Sequence, residues 1–357
     1  MKRVVVLGST GAAGRQVLTV LQALSDRCRV VGLAGNTNHS VLAEQVNATH
    51  PDHVWYAEGA ALPSASPLAG RPRLEPEAMA ALPGVDLVVD ATAGMLAGLP
   101  GTLAALRAGK RVAVANLELL AAAGALLAQT ADQHGAAIFP LDSTLSAVAQ
   151  CLRGEPSAVR RVVLPVTLPA PATAPTTKRA ADAATLMHAG LQAMAAVALF
   201  GVPAAAIEVV EHGQGVTRAM VEFCDGSVKT VFGAPDLAWA LQYALSFPER
   251  WGSPALSPLD LARVGTLTFT PIDPAAYPCL RLALDAAAAG GTLPAVLNAA
   301  NEVAVAAVLS GRATLAGIPA LLAAVAGQHR PVRNPTIDDL CAADAWARLV
   351  TLQASVA

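Results

Sequence analysis

The chain has 357 residues, with 26 acidic against 24 basic side chains and a formal net charge of −2. Charged residues make up only 14% and apolar residues 54%, against about 25% charged in an average soluble domain, so a sizeable core can form. The near-neutral charge and the 4% aromatic content supply neither the basic face nor the stacking rings that nucleic-acid binding needs.

Lys2 and Arg3 precede an apolar run, Val4 to Leu7, which is too short for a signal-peptide core and leads straight into glycines. The spacing predicts a strand over Arg3–Leu7, a turn over residues 8–14, and a helix over Arg15–Leu24 with Val17, Val20, Leu21 and Leu24 on one face. Further strands are expected at Cys28–Leu33, His53–Tyr56, Asp86–Asp90, Arg111–Ala115 and Ala137–Leu141. Helices fit Ser40–Ala48, Leu99–Ala108 and Glu118–His134, and Pro63–Pro76 reads as a surface loop. Strands separated by single helices imply parallel pairing with right-handed crossovers.

Beyond residue 150, Ala189–Ile207 is uncharged, but it holds Gln192, Gly201 and Pro203 and much of its bulk is alanine. A membrane span needs roughly 20 strongly apolar residues, so the reading is a buried helix ending near Phe200, and no membrane partner. Ala206–Val210, Ala219–Phe223 and Ser227–Phe232 fit an antiparallel sheet. The cysteines, at 28, 151, 224, 279 and 341, are scattered and odd in number, with no CxxC. That suits neither a disulfide framework nor zinc, and a reduced, cytoplasmic protein is expected.

The turn Gly8-Ser9-Thr10-Gly11-Ala12-Ala13-Gly14 lies between a predicted strand and a predicted helix. A tight turn with a bare backbone lets a pyrophosphate reach amides at a helix N-terminus, where the dipole favours anions. The context is the one that a dinucleotide-binding fingerprint requires. The acidic residue that would hold a ribose 2′-hydroxyl is missing, and the second strand ends in Ala34-Gly35-Asn36-Thr37-Asn38. No carboxylate is there to repel a 2′-phosphate, so the expected cofactor is NADPH, with NADH as the alternative. No Lys or Arg lies between Arg29 and Arg71.

Gly8-Ser9-Thr10-Gly11, Ala115-Asn116-x-Glu118, Leu141-Asp142-Ser143, Asp225-Gly226-Ser227-Val228, Pro258-Leu259-Asp260, Tyr277-Pro278-Cys279-Leu280 and Leu297-Asn298-Ala299-Ala300-Asn301-Glu302 occur in one order. That set resembles the 1-deoxy-D-xylulose 5-phosphate reductoisomerase family, NADPH-dependent enzymes of isoprenoid biosynthesis. The resemblance implies an N-terminal Rossmann-type α/β domain with a parallel sheet (1–141), a central catalytic-type α+β domain used for dimer contact (142–246), a linker (247–268) and a C-terminal helical bundle (269–357). It also implies a homodimer, cofactor contacts from residues 8–14, Asn36, Thr37, Asn38, Asn116 and Glu118, and substrate contacts from Ser143, Asn298, Asn301 and Glu302.

The family's metal and substrate motifs are where the chain departs. The Asp-Ser-Glu triplet reads Asp142-Ser143-Thr144, and the Asn-Lys-Gly-x-Glu helix reads His188-Ala189-Gly190-Leu191-Gln192. One carboxylate, a hydroxyl and an amide make a poor set for a hard divalent cation, so no metal is expected. The Asn-Lys-Glu-Ser turn reads Asn116-Leu117-Glu118-Leu119, the phosphate-holding serine is Ala183, and no His-Pro-x-Trp flap exists. All these losses serve one metal–phosphate site, while the cofactor turn stays.

Asp142, His188 and Lys178 remain as catalytic candidates, each with a plainer alternative. Asp142 also suits a helix N-cap, His188 a core or interface position, and Lys178 with Arg179 an exposed loop charge. His212 reads as a support for the sheet. The expectation is an NADPH-dependent oxidoreductase acting on an unidentified small molecule, without the metal-dependent rearrangement. A non-catalytic binding protein and the family's own reaction stay open beside it.

Overall fold

A computed structural model describes residues 1–57, 66–155, 159–168, 175–252, 256 and 258–356. The elements run β1 (Lys2–Leu7), α1 (Ala12–Ala23), β2 (Cys28–Ala34), α2 (His39–Thr49), β3 (His53–Trp55), α3 (Pro76–Ala80), β4 (Leu87–Asp90) and α4 (Met95–Arg107). Next come β5 (Arg111–Val114), α5 (Leu117–His134), β6 (Ala137–Pro140), α6 (Ser143–Leu152), β7 (Val159–Val166), α7 (Lys178–Ala184) and α8 (Met187–Phe200). The chain continues through β8 (Ile207–Glu211), β9 (Thr217–Phe223), β10 (Val228–Phe232), α9 (Leu237–Ser246), α10 (Leu261–Val264) and β11 (Thr270–Pro271). It closes with α11 (Pro278–Ala289), α12 (Leu293–Leu309), α13 (Ile318–Gln328) and α14 (Ile337–Val356). Part of the expected Pro63–Pro76 loop lies outside the described residues.

The first compact unit comprises residues 1–119, 127–146 and 236–257. Its six strands lie in the order β3-β2-β1-β4-β5-β6, and every pairing is parallel. Val4, Val6, Leu33 and Val89 are buried, as parallel strands covered on both faces must be. Helix α4 starts at Met95, four residues earlier than expected, with Gly98 and Pro100 inside it. Helix α9, which the sequence reading placed within residues 142–246, packs in this unit. Leu241 and Leu245 are fully buried in one core cluster with Val17, Leu21 and Phe139, and that apolar face decides the placement.

The second unit comprises residues 120–126, 147–235 and 258–357. The expected central and C-terminal domains form one contact unit here, with α11 against α8 and α12 against α7. Its sheet has the order β10-β9-β7-β8-β11 and is mixed. Strands β9 and β10 are antiparallel as expected, while β8 runs parallel to β7 because α7 and α8 form the crossover between them. Helices α7 and α8 meet at a bend of 86°, where Leu186 adopts φ +56°. Among the described residues no single helix is long and apolar enough to cross a membrane.

Candidate functional site

The glycine turn sits at the C-terminal end of β1. Gly8 has φ +75°, and a β-carbon there would stand 2.7 Å from the backbone of Ala91 and Thr92. A β-carbon on Gly14 would stand 2.3 Å from the Gly8 carbonyl oxygen. Both positions therefore exclude side chains, for conformation in the first case and close approach in the second. No side chain caps α1, and Gly11 and Ala12 are exposed. The first i to i+4 bond closes from Arg15 N–H to the Gly11 carbonyl, so the amides of Ala12, Ala13 and Gly14 precede it. This cradle fits a dinucleotide pyrophosphate.

Other residues expected at the cofactor play internal parts. Ser9 is fully buried, and it exchanges two bonds of 2.8 Å with Gln45, one through its hydroxyl and one through its carbonyl. Asn38 accepts from Val41 N–H and caps α2. Asn116 is 1% exposed; it donates to Thr92 Oγ1 and the Gly94 carbonyl and accepts from Leu119 N–H. The side chains of Ser9, Asn38 and Asn116 are thus engaged by neighbouring groups of the protein. Thr10 and Ala13 are half-buried along the turn, Glu118 is half-buried in the first turn of α5, and Asn36 and Thr37 are exposed at the end of β2.

Asp90, at the end of β4, is fully buried and accepts from Thr92 N–H, Thr92 Oγ1 and Thr102 Oγ1. Burial pushes its carboxyl above the ordinary range, against the lowering effect of those donors. Gly98 lets α4 approach this group, since a β-carbon there would stand 2.4 Å from Asp90 Oδ2. Sequence reasoning passed over Asp90.

It also passed over Arg73. The chain from Pro72 to Leu74 runs beside Val54 of β3. Arg73 donates to the Tyr56 carbonyl at 2.7 Å, and its guanidinium lies 4.9 Å from the Tyr56 ring centre. The next residue, Ala57, donates its N–H to the Asn36 carbonyl. A cation thus stands one peptide from the Asn36–Thr37 turn, and residues 34–40 contain no carboxylate.

Asp142 caps α6, its Oδ1 accepting from Thr144 N–H and Leu145 N–H at 2.9 Å each. Ser143 follows, half-buried. Thr144, at 5% exposure, and Gln192, at 4%, are both buried and uncharged. No group of three His, Cys, Asp or Glu among the described residues is placed to hold a metal ion. The donor set at the family's ligand positions, one carboxylate with a hydroxyl and an amide, does not fit a hard divalent cation, which wants several charged oxygens.

In the second unit, Lys178 pairs with Asp182 at 2.6 Å, and Asn301 donates to the other oxygen of Asp182 at 2.8 Å. Asn298 donates to Glu302 at 2.8 Å, and Arg348 bridges Glu302 at 2.7 Å and Asp344 at 2.6 Å. Asn298 and Asn301 are fully buried and each leaves its Oδ1 without a described donor. The expected substrate contacts Asn298, Asn301 and Glu302 are thus tied into polar networks between helices. His188 is half-buried in the first turn of α8. His212 is a structural residue: Nδ1 donates to the Thr268 carbonyl at 2.9 Å, and Nε2 accepts from Val216 and Thr217 N–H.

The strand order 3-2-1-4-5-6 with a glycine turn after β1 defines a dinucleotide-binding fold of the oxidoreductase class. Residues 4–124 match the family described as 1-deoxy-D-xylulose 5-phosphate reductoisomerase, and residues 232–350 match the DXP reductoisomerase C-terminal domain. A 1-deoxy-D-xylulose 5-phosphate reductoisomerase of Pelotomaculum thermopropionicum is 41% identical, covering 98% of this chain and 97% of that protein. The enzyme of the same name from Xanthomonas oryzae pv. oryzae is 41% identical, covering 99% and 97%. A solved reductoisomerase from Zymomonas mobilis in complex with NADPH superposes with a TM-score of 0.87 and 31% identity, covering 100% of this chain and 99% of the other. Another, in complex with NADPH, fosmidomycin and magnesium, gives 0.85 and 28%, covering 100% and 98%. The chain belongs to the 1-deoxy-D-xylulose 5-phosphate reductoisomerase family.

Proposed function

We propose that the chain binds NADPH and reduces the carbonyl of a small-molecule substrate, without the metal-held rearrangement that the family name describes. The observation that carries this reading is a contrast. The Gly8–Gly14 cradle is closed to side chains and open to a pyrophosphate, whereas the metal-ligand positions hold Thr144 and Gln192.

NADPH supplies a hydride when bound. Gly11, Ala12 and Ala13 would take its pyrophosphate at the start of α1, where the helix dipole favours the charge. Asn36, Thr37 and Arg73 would take the ribose end, with no carboxylate nearby to repel a 2′-phosphate. In the second unit, Lys178 is held by Asp182 and is carried forward as a candidate acid. Asn301 fixes Asp182 from its other oxygen. The dimer expected through strands β8–β10 is carried forward as part of this proposal, with sedimentation as its test.

A second reading, the family's own reaction, is favoured by the 41% identity across 98% of the chain and by the magnesium in a related structure. NADPH oxidation by the purified protein with 1-deoxy-D-xylulose 5-phosphate, with and without Mn²⁺, separates the two. Turnover of about one per second or more, dependent on Mn²⁺, selects the family reaction. NADPH binding without that turnover, followed by metal-independent reduction of another carbonyl compound, selects the first reading.

A further inference from the structure

The segments that follow β4 and β5 are joined by one polar brace. Asp90 ends β4, in register with Leu7 of β1 and Val114 of β5. Its Oδ1 accepts from the N–H and the hydroxyl of Thr92, and its Oδ2 from the hydroxyl of Thr102 in α4. Thr92 has a single hydroxyl proton, and Asp90 takes it at 2.6 Å. Thr92 Oγ1 therefore meets Asn116 Nδ2 as an acceptor, at 3.1 Å. Asn116 Nδ2 also donates to the Gly94 carbonyl, at the far end of the same loop, while its Oδ1 caps α5 through Leu119 N–H. A β-carbon on Gly98 would stand 2.4 Å from Asp90 Oδ2, 2.7 Å from Thr92 Oγ1 and 2.9 Å from Asn116 Nδ2, so the three groups converge on one point of α4.

The brace fixes the loop Ala91–Gly94, and that loop backs the glycine turn, since Gly8 lies against the backbone of Ala91 and Thr92. Thr92 and Gly94 are half-buried and Ala93 is exposed, so the loop also reaches the surface. Burial pushes the Asp90 carboxyl upward in spite of its donors. The group thus costs stability where it stands, while its side-chain bonds tie this loop to α4. The strand order reverses between β1 and β4. In sheets of this order a dinucleotide lies across the reversal, with one mononucleotide half on each side. With the adenosine ribose at the end of β2, the ends of β4 and β5 carry the nicotinamide half.

We propose that Asp90 is a positioning residue for the nicotinamide half of the cofactor, acting through Thr92 to hold the Ala91–Gly94 loop on which that half rests. The inference rests on the NADPH reading above and deepens it. A loop held in place before binding adds affinity because its ordering is not charged to the ligand. A loop released from Asp90 would have to be ordered by the nicotinamide ribonucleotide alone, since the adenosine half lies on the other side of the strand reversal.

The test titrates two ligands into the full-length protein by calorimetry: NADPH, and adenosine 2′,5′-bisphosphate, which carries the adenosine half only. Thr92→Val removes the hydroxyl link at nearly constant shape, and Asp90→Ala removes the acceptor. Thr92→Ser and Asp90→Asn keep the link. The expected result is that Thr92→Val and Asp90→Ala weaken NADPH binding about tenfold, roughly the loss of one hydrogen bond to a charged group. Adenosine bisphosphate binding should stay as in the wild type, and the two conservative variants should bind both ligands normally. Unchanged NADPH affinity in Thr92→Val, or an equal loss for both ligands, overturns the positioning role. Thr92→Val carries the test by itself if Asp90→Ala fails to fold. A wild type that binds neither ligand overturns the cofactor reading and this inference with it, before any variant is compared.

Discussion

Gly14 and Gly8 approach so closely that a β-carbon on Gly14 would fall 2.3 Å from the Gly8 carbonyl oxygen and 2.6 Å from the Ser9 backbone. The obstacle is backbone, which no rotamer change relieves. Gly14→Ala should force α1 away from the turn and cost about 2–3 kcal/mol of stability. NADPH affinity should fall by more than the melting loss explains, since the amides ahead of Arg15 move with the helix. A fluorescence titration beside a melting curve checks this. Unchanged NADPH affinity in a folded variant would remove the turn from the cofactor site.

Arg73 should decide between the two nicotinamide cofactors. Its charge can meet a 2′-phosphate, which NADH lacks, and one charge-assisted contact is worth about 1.5 kcal/mol or more. Arg73→Gln should weaken NADPH binding by about tenfold and leave NADH binding as it was. Equal losses for both would show that Arg73 only braces Tyr56.

Asp90 gives a pH dependence whose sign follows from its burial. Its carboxyl ionises less readily folded than unfolded, so the folded state holds the proton more tightly. The stabilisation this provides is complete below the unfolded value, about 3.9, and is lost as pH rises through the higher folded value. Asp90→Asn removes the buried charge and keeps an acceptor for Thr92. Its melting temperature at neutral pH should equal or exceed that of the wild type, and the advantage should shrink on acidification. A gain that grows toward acid pH would contradict the assignment.

Divalent metal should bind weakly. Thr144 and Gln192 bring no charge, and Asp142 is the one carboxylate of the set. Chelation with EDTA should leave both NADPH affinity and the melting temperature unchanged. A stoichiometric Mn²⁺ signal in electron paramagnetic resonance at micromolar metal would favour the family reaction instead.

Arg348 bridges Asp344, which is fully buried, and Glu302. Those hydrogen bonds, Asp344 first, hold its guanidinium above its ordinary range in spite of burial. Arg348→Met would leave a buried carboxylate uncompensated. With Arg348 itself partly exposed, the loss should be about 2–3 kcal/mol. Adding Asp344→Asn should recover a good part of it. Denaturant midpoints of the single and double variants measure the coupling.

The sequence by itself determined the dinucleotide fold, because strand and helix periodicity, the glycine turn and the missing ribose acid are all local features. The same holds for the departures at Thr144 and Gln192, where charge is absent whatever the fold. Asp142 kept two readings in the sequence, and only the bonds to the Thr144 and Leu145 amides revealed the cap. Asn116 and Ser9 looked like ligand groups because their motif is one, yet their partners, Thr92 and Gln45, arrive from other elements. Arg73 was invisible because sequence distance hid it: a parallel edge strand brings residues 54–57 beside both Asn36 and Arg73. The placement of α9 was equally out of reach. Its apolar face fits any core, and only packing against Val17, Leu21 and Phe139 fixes which one. Local chemistry is written in spacing, whereas partners, and therefore the roles of polar groups, are set by contacts between residues far apart in the chain.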